Sequence, residues 1–229
     1  KDNIAELEQK RGTAIDLSKE AMHLTLHIVA KSLFSSDVAD VVDVVGEEID
    51  VAQELAIERI SNPFKLPVWI PTPGNLKEKR SIKRLDKVMM DIIEKRRNDP
   101  NKYDDLLQML MDVKDEDTGE QMSDRQLRDE CMTIFLAGHE TTALALTWLW
   151  YLLDQNPTEI DKLRAEAEEV LQGRDPEVGD VMKLEYTRMV IEEAMRLYPP
   201  AWVIGRRNVA EDEIGGYRVP KGYNLLIPV

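Results

Sequence analysis

The sequence predicts a mainly α-helical protein with a small β meander at its C-terminal end. Apolar side chains recur every three or four residues over most of the chain, and polar capping residues precede several of these segments. After Pro199 and Pro200 the pattern changes to short β-rich runs, separated by the turns Gly215-Gly216 and Pro220-Lys221-Gly222.

Composition narrows the class of protein. The 229 residues are 43% hydrophobic and 32% charged, as in soluble globular proteins of one or two domains. The net charge of −14 disfavours nucleic acid as a partner, because an acidic surface repels phosphate. The single cysteine, Cys131, excludes an internal disulfide and indicates the reducing cytoplasm. Lys1 and the apolar end YNLLIPV lead us to expect a piece of something larger.

The first half of the chain is predicted to hold helices over 14–34, 46–61 and 76–97. Asp16 is the expected cap of the first helix. Four prolines between 61 and 75 forbid a continuous helix there, which leaves a connector carrying Trp69 and Ile70. These two side chains are expected either to form a mobile lid over a channel or to pack under the loop.

Residues 76–97 hold nine Lys or Arg and four Asp or Glu. Such a helix can meet an anionic redox partner or phospholipid head groups, but a solvated face is the expectation.

The second half is predicted to hold helices over 103–113, 123–154, 157–172 and 183–198, followed by the β meander over 203–229. Ser123 and Gln126 form a capping box, from which a helix of roughly 30 residues and about 45 Å can run. Asn156 and Pro157 supply a cap and a first-turn proline for the next helix. We find no internal repeat.

The long helix contains an apolar segment, FLAGHETTALALTWLWYLL, at residues 135–153. Four polar residues interrupt it, and we name them the polar notch: His139, Glu140, Thr141 and Thr142. The segment is long enough to span a bilayer, but His139 and Glu140 at its midpoint are costly in lipid, so no membrane span is predicted. A zinc-protease motif needs a second histidine where Ala143 stands.

An acid beside a hydroxyl suits proton delivery into a dry pocket. Glu140 would be the shuttle and Thr141 the final donor, while the small Ala137 and Gly138 would let a flat group lie against the helix. The alternative is a satisfied polar cluster in a bent core helix, with threonines bonded back to carbonyls four residues earlier.

A second motif, EEAMRLYPP, places Glu193 and Arg196 three residues apart on one helix, where they can pair. AGHETT in a long helix is followed by a capped helix, then by Glu-x-x-Arg and a β meander. This order resembles that of the haem-thiolate monooxygenases of the cytochrome P-450 family. The resemblance extends over nearly the whole chain in order.

The resemblance implies a partial cytochrome P-450-like helical fold that binds haem (heme) in the intact parent protein. Glu140 and Thr141 would relay protons to dioxygen, and Ala137 and Gly138 would lie at the cofactor. Glu193 and Arg196 would lock their helix to the ligand loop. Arg206 would pair with a haem propionate, with Arg207 less favoured and a solvated charge as the alternative.

The resemblance also places Ala201, Val203 and Ile204 in the substrate pocket, with ordinary core packing as the alternative. The family's proximal cysteine loop has no counterpart before Val229, and the front of the family fold is absent as well. No metal ligand is therefore predicted in this chain, which we expect to be inactive alone. Cys131 is expected to be a small buried thiol.

The function implied for the parent is insertion of one oxygen atom from dioxygen into a small apolar substrate in the cytoplasm. Its electrons would come from a ferredoxin, a flavodoxin or a reductase. The alternatives are a peroxide-using or oxygen-rearranging relative, and a catalytically idle, cofactor-free scaffold. His23 and His27 stand four apart, but they are expected to be ordinary surface histidines because no third ligand follows.

Overall fold

The computed structural model describes residues 2–35, 45–46, 48–49, 51–52, 54–55, 57–58, 62 and 66–229. The described residues between 45 and 58 are helical, and the rest of the predicted helix 46–61 lies outside the described residues. The remaining helices are α1 (Asp2–Gln9), α2 (Leu17–Phe34), α3 (Pro73–Asn98), α4 (Leu106–Asp112), α5 (Asp124–Gln155), α6 (Pro157–Leu171), a 3-10 helix (Val178–Lys183) and α7 (Glu185–Leu197).

Local capping explains where the helices begin. Asp16 accepts a hydrogen bond from the Lys19 amide at 3.3 Å, which starts α2 as predicted. Thr72 caps α3 and Pro73 occupies its first turn, so this helix begins three residues before the predicted position 76. Asn156 is not the predicted side-chain cap of α6, because its amide donates back to the Leu152 carbonyl at 2.9 Å.

The structure divides into two compact units, Lys1–Glu140 and Thr141–Val229. The first unit has a hydrophobic core in which α2, α3, α4 and the first part of α5 meet. Burying such side chains stabilises the unit by about 1.5–3 kcal/mol each. The core residues from these helices are Leu26, Ala30, Leu33, Phe34, Leu85, Met89, Ile93, Leu107, Leu127, Cys131 and Phe135.

A buried ion pair ties three helices of the first unit together. Arg96 of α3 donates two hydrogen bonds of 2.7 Å to Asp105, and its Nη2 donates another of 2.8 Å to the Phe34 carbonyl at the end of α2. Asp105 also caps α4 by accepting from the Gln108 amide at 2.9 Å. Because both side chains are buried, breaking the pair is expected to be costly.

The second unit ends in four short antiparallel strands, β1 (Val203–Arg207), β2 (Asp212–Ile214), β3 (Tyr217–Val219) and β4 (Asn224–Pro228). They form the small antiparallel strand region that was predicted at this end of the chain, but their order differs from that of a meander, because β1 pairs with β4 and β2 pairs with β3. Asn208 explains the outer pairing, since its amide N–H donates to the Tyr223 carbonyl at 2.9 Å and its carbonyl accepts from the Gly222 amide at 2.7 Å. The inner turn uses Gly215 and Gly216, both at positive φ.

No described helix combines the length and apolarity that crossing a membrane requires.

Candidate functional site

The polar notch of α5 divides its side chains between two sides of the helix. His139 is only 2% exposed and lies against Phe135, with ring centroids 6.1 Å apart. Ala137 and Thr141, four residues apart on one helical face, are exposed, and Glu140 is half-buried. The exposed side of the helix here therefore carries a small residue, Ala137, and a threonine, Thr141, and the predicted acid Glu140 directly precedes Thr141.

Gly138 has a packing role that the sequence did not reveal. A Cβ added there would lie 3.0 Å from Val29 Cγ2 of α2, closer than an ordinary van der Waals contact. Glycine at this position lets the two helices approach. Its assignment to the cofactor pocket stays a prediction, since the close approach of Val29 is enough to explain why a glycine stands here.

Cys131 lies on α5 and is fully buried in the core of the first unit. Burial raises the pKa of its thiol to about 11, with smaller contributions from Glu130 and Asp105. A protonated core thiol does not supply a thiolate ligand. The described residues contain no group of three or more His, Cys, Asp or Glu side chains able to hold a metal ion.

The structure pairs Glu193 with Arg196 on α7. Two hydrogen bonds of 2.7 Å join the guanidinium to the carboxylate, and they hold the pKa of Glu193 below its usual value. Both side chains are largely exposed, so the pair by itself adds little stability in this chain. Its predicted role in locking a ligand loop stays a prediction.

The predicted pocket and propionate residues lie on and just before β1. Ala201 and Ile204 are exposed, and Val203 is half-buried. Alternation along a strand places Ile204 and Arg206 on one face and Val203 and Arg207 on the other. Arg206 donates to the Gly205 carbonyl at 2.8 Å and is otherwise open to solvent. Only Ile204 therefore shares a strand face with the favoured propionate residue.

A groove of about 440 Å³ lies within the second unit. Leucines of the last part of α5 line one side, and Met189, Val190 and Ala194 of α7 line the other. Glu193 lies at its edge. The groove begins at Leu149, two turns beyond Thr141, and so it does not include the polar notch.

Two predictions concern residues away from the polar notch, the histidine pair of α2 and the connector before α3. The Nε2 atoms of His23 and His27 lie 3.1 Å apart on α2, as the four-residue spacing implies. Trp69 is 76% exposed, so it does not pack under the connector, while Ile70 is half-buried. Part of the connector, residues 61 and 63–65, lies outside the described residues.

Comparison with known proteins identifies the family. The cytochrome P450 family model matches residues 1–229. The chain belongs to the cytochrome P450 family. The P450 chain is 38% identical to cyclooctatin synthase of Streptomyces melanosporofaciens over 215 residues, which are 93% of this chain and 47% of that protein. It is 32% identical to pentalenene oxygenase of Streptomyces avermitilis, covering 94% of this chain and 48% of the relative.

A solved structure shares the fold of this chain. The crystal structure of a cytochrome P450DA mutant heme domain superposes with a TM-score of 0.86 at 24% identity, covering 99% of this chain and 50% of that one. The P450 chain thus has the family's fold, mainly helical with a small antiparallel strand region, as predicted. It spans about half the length of the relatives it matches.

P450 proteins are haem-thiolate enzymes, and the residues of this chain fit one wall of a haem site. The open face of α5 offers Ala137, which is small, and Thr141, which carries a hydroxyl. The described residues supply no cysteine for the thiolate ligand of the haem, because Cys131 is a buried core thiol. The role of these residues beside a haem stays a prediction from the sequence motifs, and nothing in the sequence indicated Val29 as the neighbour of Gly138.

Proposed function

We propose that residues 1–229 form the central to C-terminal part of a haem monooxygenase, with the polar notch of α5 as the proton-delivery wall of its active site. One observation carries this proposal. Glu140, which is half-buried, stands directly before Thr141, which is exposed and lies on the helical face that also carries Ala137.

The haem, when bound, supplies the binding and reductive activation of dioxygen. In this proposal Glu140 holds and releases a proton at its carboxyl, and Thr141 donates a hydrogen bond from its hydroxyl toward the oxygen site. Ala137 leaves room for the flat cofactor, and Gly138 lets α5 lie close to α2.

The other predicted residues complete the proposal. Arg206 would bind a haem propionate, and Ile204 on the same strand face would contact substrate, with Ala201 and Val203 nearby in sequence. Glu193 and Arg196, already paired, would present a polar group to the loop that carries the thiolate. These roles rest on the family's motifs and on the strand geometry of β1.

The proposed substrate is a small apolar organic molecule, oxygenated in the cytoplasm with electrons from a ferredoxin, a flavodoxin or a reductase. Support comes from the printed names of two relatives, pentalenene oxygenase and cyclooctat-9-en-7-ol 5-monooxygenase, the latter 34% identical over 216 residues. Peroxide-using and oxygen-rearranging relatives remain the second candidate, and the intact Glu140–Thr141 pair disfavours both. A cofactor-free scaffold is the third.

The test uses the full-length protein that contains these residues. Its reduced form with carbon monoxide is expected to show the long-wavelength Soret band of thiolate-bound haem. With labelled dioxygen and an electron donor, one labelled atom is expected in the product. Turnover with peroxide alone and none with dioxygen would favour the second candidate, and absence of haem would favour the scaffold.

A further inference from the structure

We propose that His23 and His27 of α2 form a surface site for a divalent transition-metal ion of the class Cu²⁺, Ni²⁺ and Zn²⁺. The two imidazoles supply two ligands to the ion, and water or an external ligand fills its other positions. This inference does not depend on the proposed oxygen chemistry.

Helical spacing brings the two imidazoles together. Residues four apart lie on one face of a helix, with their Cβ atoms about 5–6 Å from each other. The Nε2 atoms of His23 and His27 lie 3.1 Å apart. The ring centroids are 4.4 Å apart and the ring planes meet at 70°. Both side chains therefore bring the same ring nitrogen to one place beside the helix.

The distance between these nitrogens fits two neighbouring positions around a metal ion. Imidazole nitrogens bind Zn²⁺ at about 2.0–2.1 Å. With bonds of that length, nitrogens 3.1 Å apart subtend an angle of about 98° at the ion. This angle lies between the right angle of a square-planar site and the wider angle of a tetrahedral site. A small rotation of either ring about its soft χ2 torsion reaches both geometries.

The ion takes the place of a proton that the two rings share. In the hydrogen bond between the Nε2 atoms, one nitrogen carries the proton and the other accepts it through its lone pair. A metal ion needs both lone pairs, so the donating imidazole moves its proton from Nε2 to Nδ1 by exchange with water. Both rings stay neutral, and no net proton is released.

The backbone beneath the pair is held by the core of the first unit. His23 is exposed and His27 is half-buried, so an ion reaches them from solvent. Ligands that the fold already positions bind more tightly, because less freedom is lost on binding. The buried residues of α2 that surround the two histidines in sequence are Ala21, Thr25, Leu26 and Ala30.

Ligand chemistry selects the class of ion. Neutral imidazole suits Cu²⁺, Ni²⁺ and Zn²⁺, whereas Ca²⁺ and Mg²⁺ prefer oxygen ligands. Among the described residues no third His, Cys, Asp or Glu completes a metal-binding group. Lys19 and Lys31 stand four residues from His23 and His27, and their charges oppose a cation. The site therefore holds an exchangeable ion and differs from a closed structural zinc site.

Calorimetric titration of the full-length protein with Ni²⁺ tests the proposal, in a non-chelating buffer at about pH 7.5. The unaltered protein is expected to bind one more Ni²⁺ ion than the variant His23→Asn/His27→Asn. Each single variant is expected to bind this ion on the order of 100-fold more weakly, because the second imidazole binds intramolecularly. Titration with Mg²⁺ is expected to show no difference between the proteins.

Matched variants separate the geometry of the pair from the number of histidines. In the His27→Asn background, Lys19→His again places two imidazoles four residues apart and is expected to restore most of the affinity. Ile28→His adds the same side chain at an exposed site five residues from His23 and is expected to restore little. Lys19→Gln in this background removes the charge without adding an imidazole, and it is also expected to restore little.

Three results would overturn the proposal. Equal Ni²⁺ stoichiometry in the unaltered protein and the double variant would mean that the ion binds elsewhere. Equal recovery with Lys19→His and Ile28→His would mean that the number of histidines matters and their spacing does not. Equal recovery with Lys19→His and Lys19→Gln would assign the effect to the lost positive charge.

Discussion

Substituting Gly138 by alanine tests whether this residue is small for helix packing. The added Cβ would lie 3.0 Å from Val29 Cγ2, about half an ångström inside the usual carbon–carbon contact. Val29 is β-branched and has little freedom at χ1 in a helix, so it yields poorly. Overpacking destabilises the folded state by about 1–3 kcal/mol, whereas the higher helix propensity of alanine stabilises it by about 1 kcal/mol. Gly138→Ala is therefore expected to destabilise the chain by up to about 2 kcal/mol.

The sign of the effect is expected to reverse once the obstacle is removed. In a Val29→Ala background the clashing Cγ2 is gone, and Gly138→Ala is expected to stabilise the chain by about 1 kcal/mol. Urea unfolding of the four proteins, followed by far-UV circular dichroism, gives both values. Gly74→Ala is the matched control, because no atom lies within 4 Å of the added Cβ and its effect should be the same in both backgrounds.

The reasoning would be refuted if Gly138→Ala had the same effect in both backgrounds, to within about 0.5 kcal/mol. In the full-length protein, loss of activity with unchanged stability would assign the glycine to the cofactor pocket.

Three further predictions concern ion pairs. Arg96→Met is expected to lower the free energy of unfolding in urea by about 3–5 kcal/mol. Adding Asp105→Leu should recover part of this loss, because a buried charge without its partner is less stable than no charge. Losses that simply add in the double variant would contradict this. Burial acts to raise the pKa of Asp105, but hydrogen bonds from Arg96 and the Gln108 amide outweigh it and leave the pKa lowered. The stability due to Asp105 is thus present above about pH 4 and lost as pH falls through its folded pKa, and Asp105→Asn should remove this acid dependence. Glu193→Ala is expected to lower the free energy of unfolding of this chain by under about 1 kcal/mol, because its pair with Arg196 is exposed. A larger loss would mean that Glu193 makes a stabilising contact besides this pair.

Local signals made the helices predictable. Caps at Asp16 and Ser123 and the prolines at 157 and 199 act on residues adjacent in sequence, so the pattern and the structure agree closely there. Strand order was not predictable in the same way. The pairing of β1 with β4 depends on the bonds of Asn208 to residues 222 and 223, which the alternating pattern does not encode.

The candidate site was predictable only in part, and for a similar reason. The motifs around Glu140 and Glu193 identify the family because their residue types and order are specific. The contact of Gly138 with Val29 and the buried pair of Arg96 with Asp105 depend on which helix faces which, information that a single sequence does not hold. The motifs thus predict where the chemistry lies, and the structure adds a packing contact of Gly138 that the motifs do not indicate.

The most direct test of the proton-delivery wall compares Thr141→Val with the unaltered full-length protein during turnover. The product formed per dioxygen consumed, and the hydrogen peroxide released, are measured together. Removing the hydroxyl while keeping its shape is expected to lower product about 100-fold or more, with continued dioxygen consumption and increased peroxide. Unchanged product per dioxygen would contradict the account, because Thr141 would then not deliver protons.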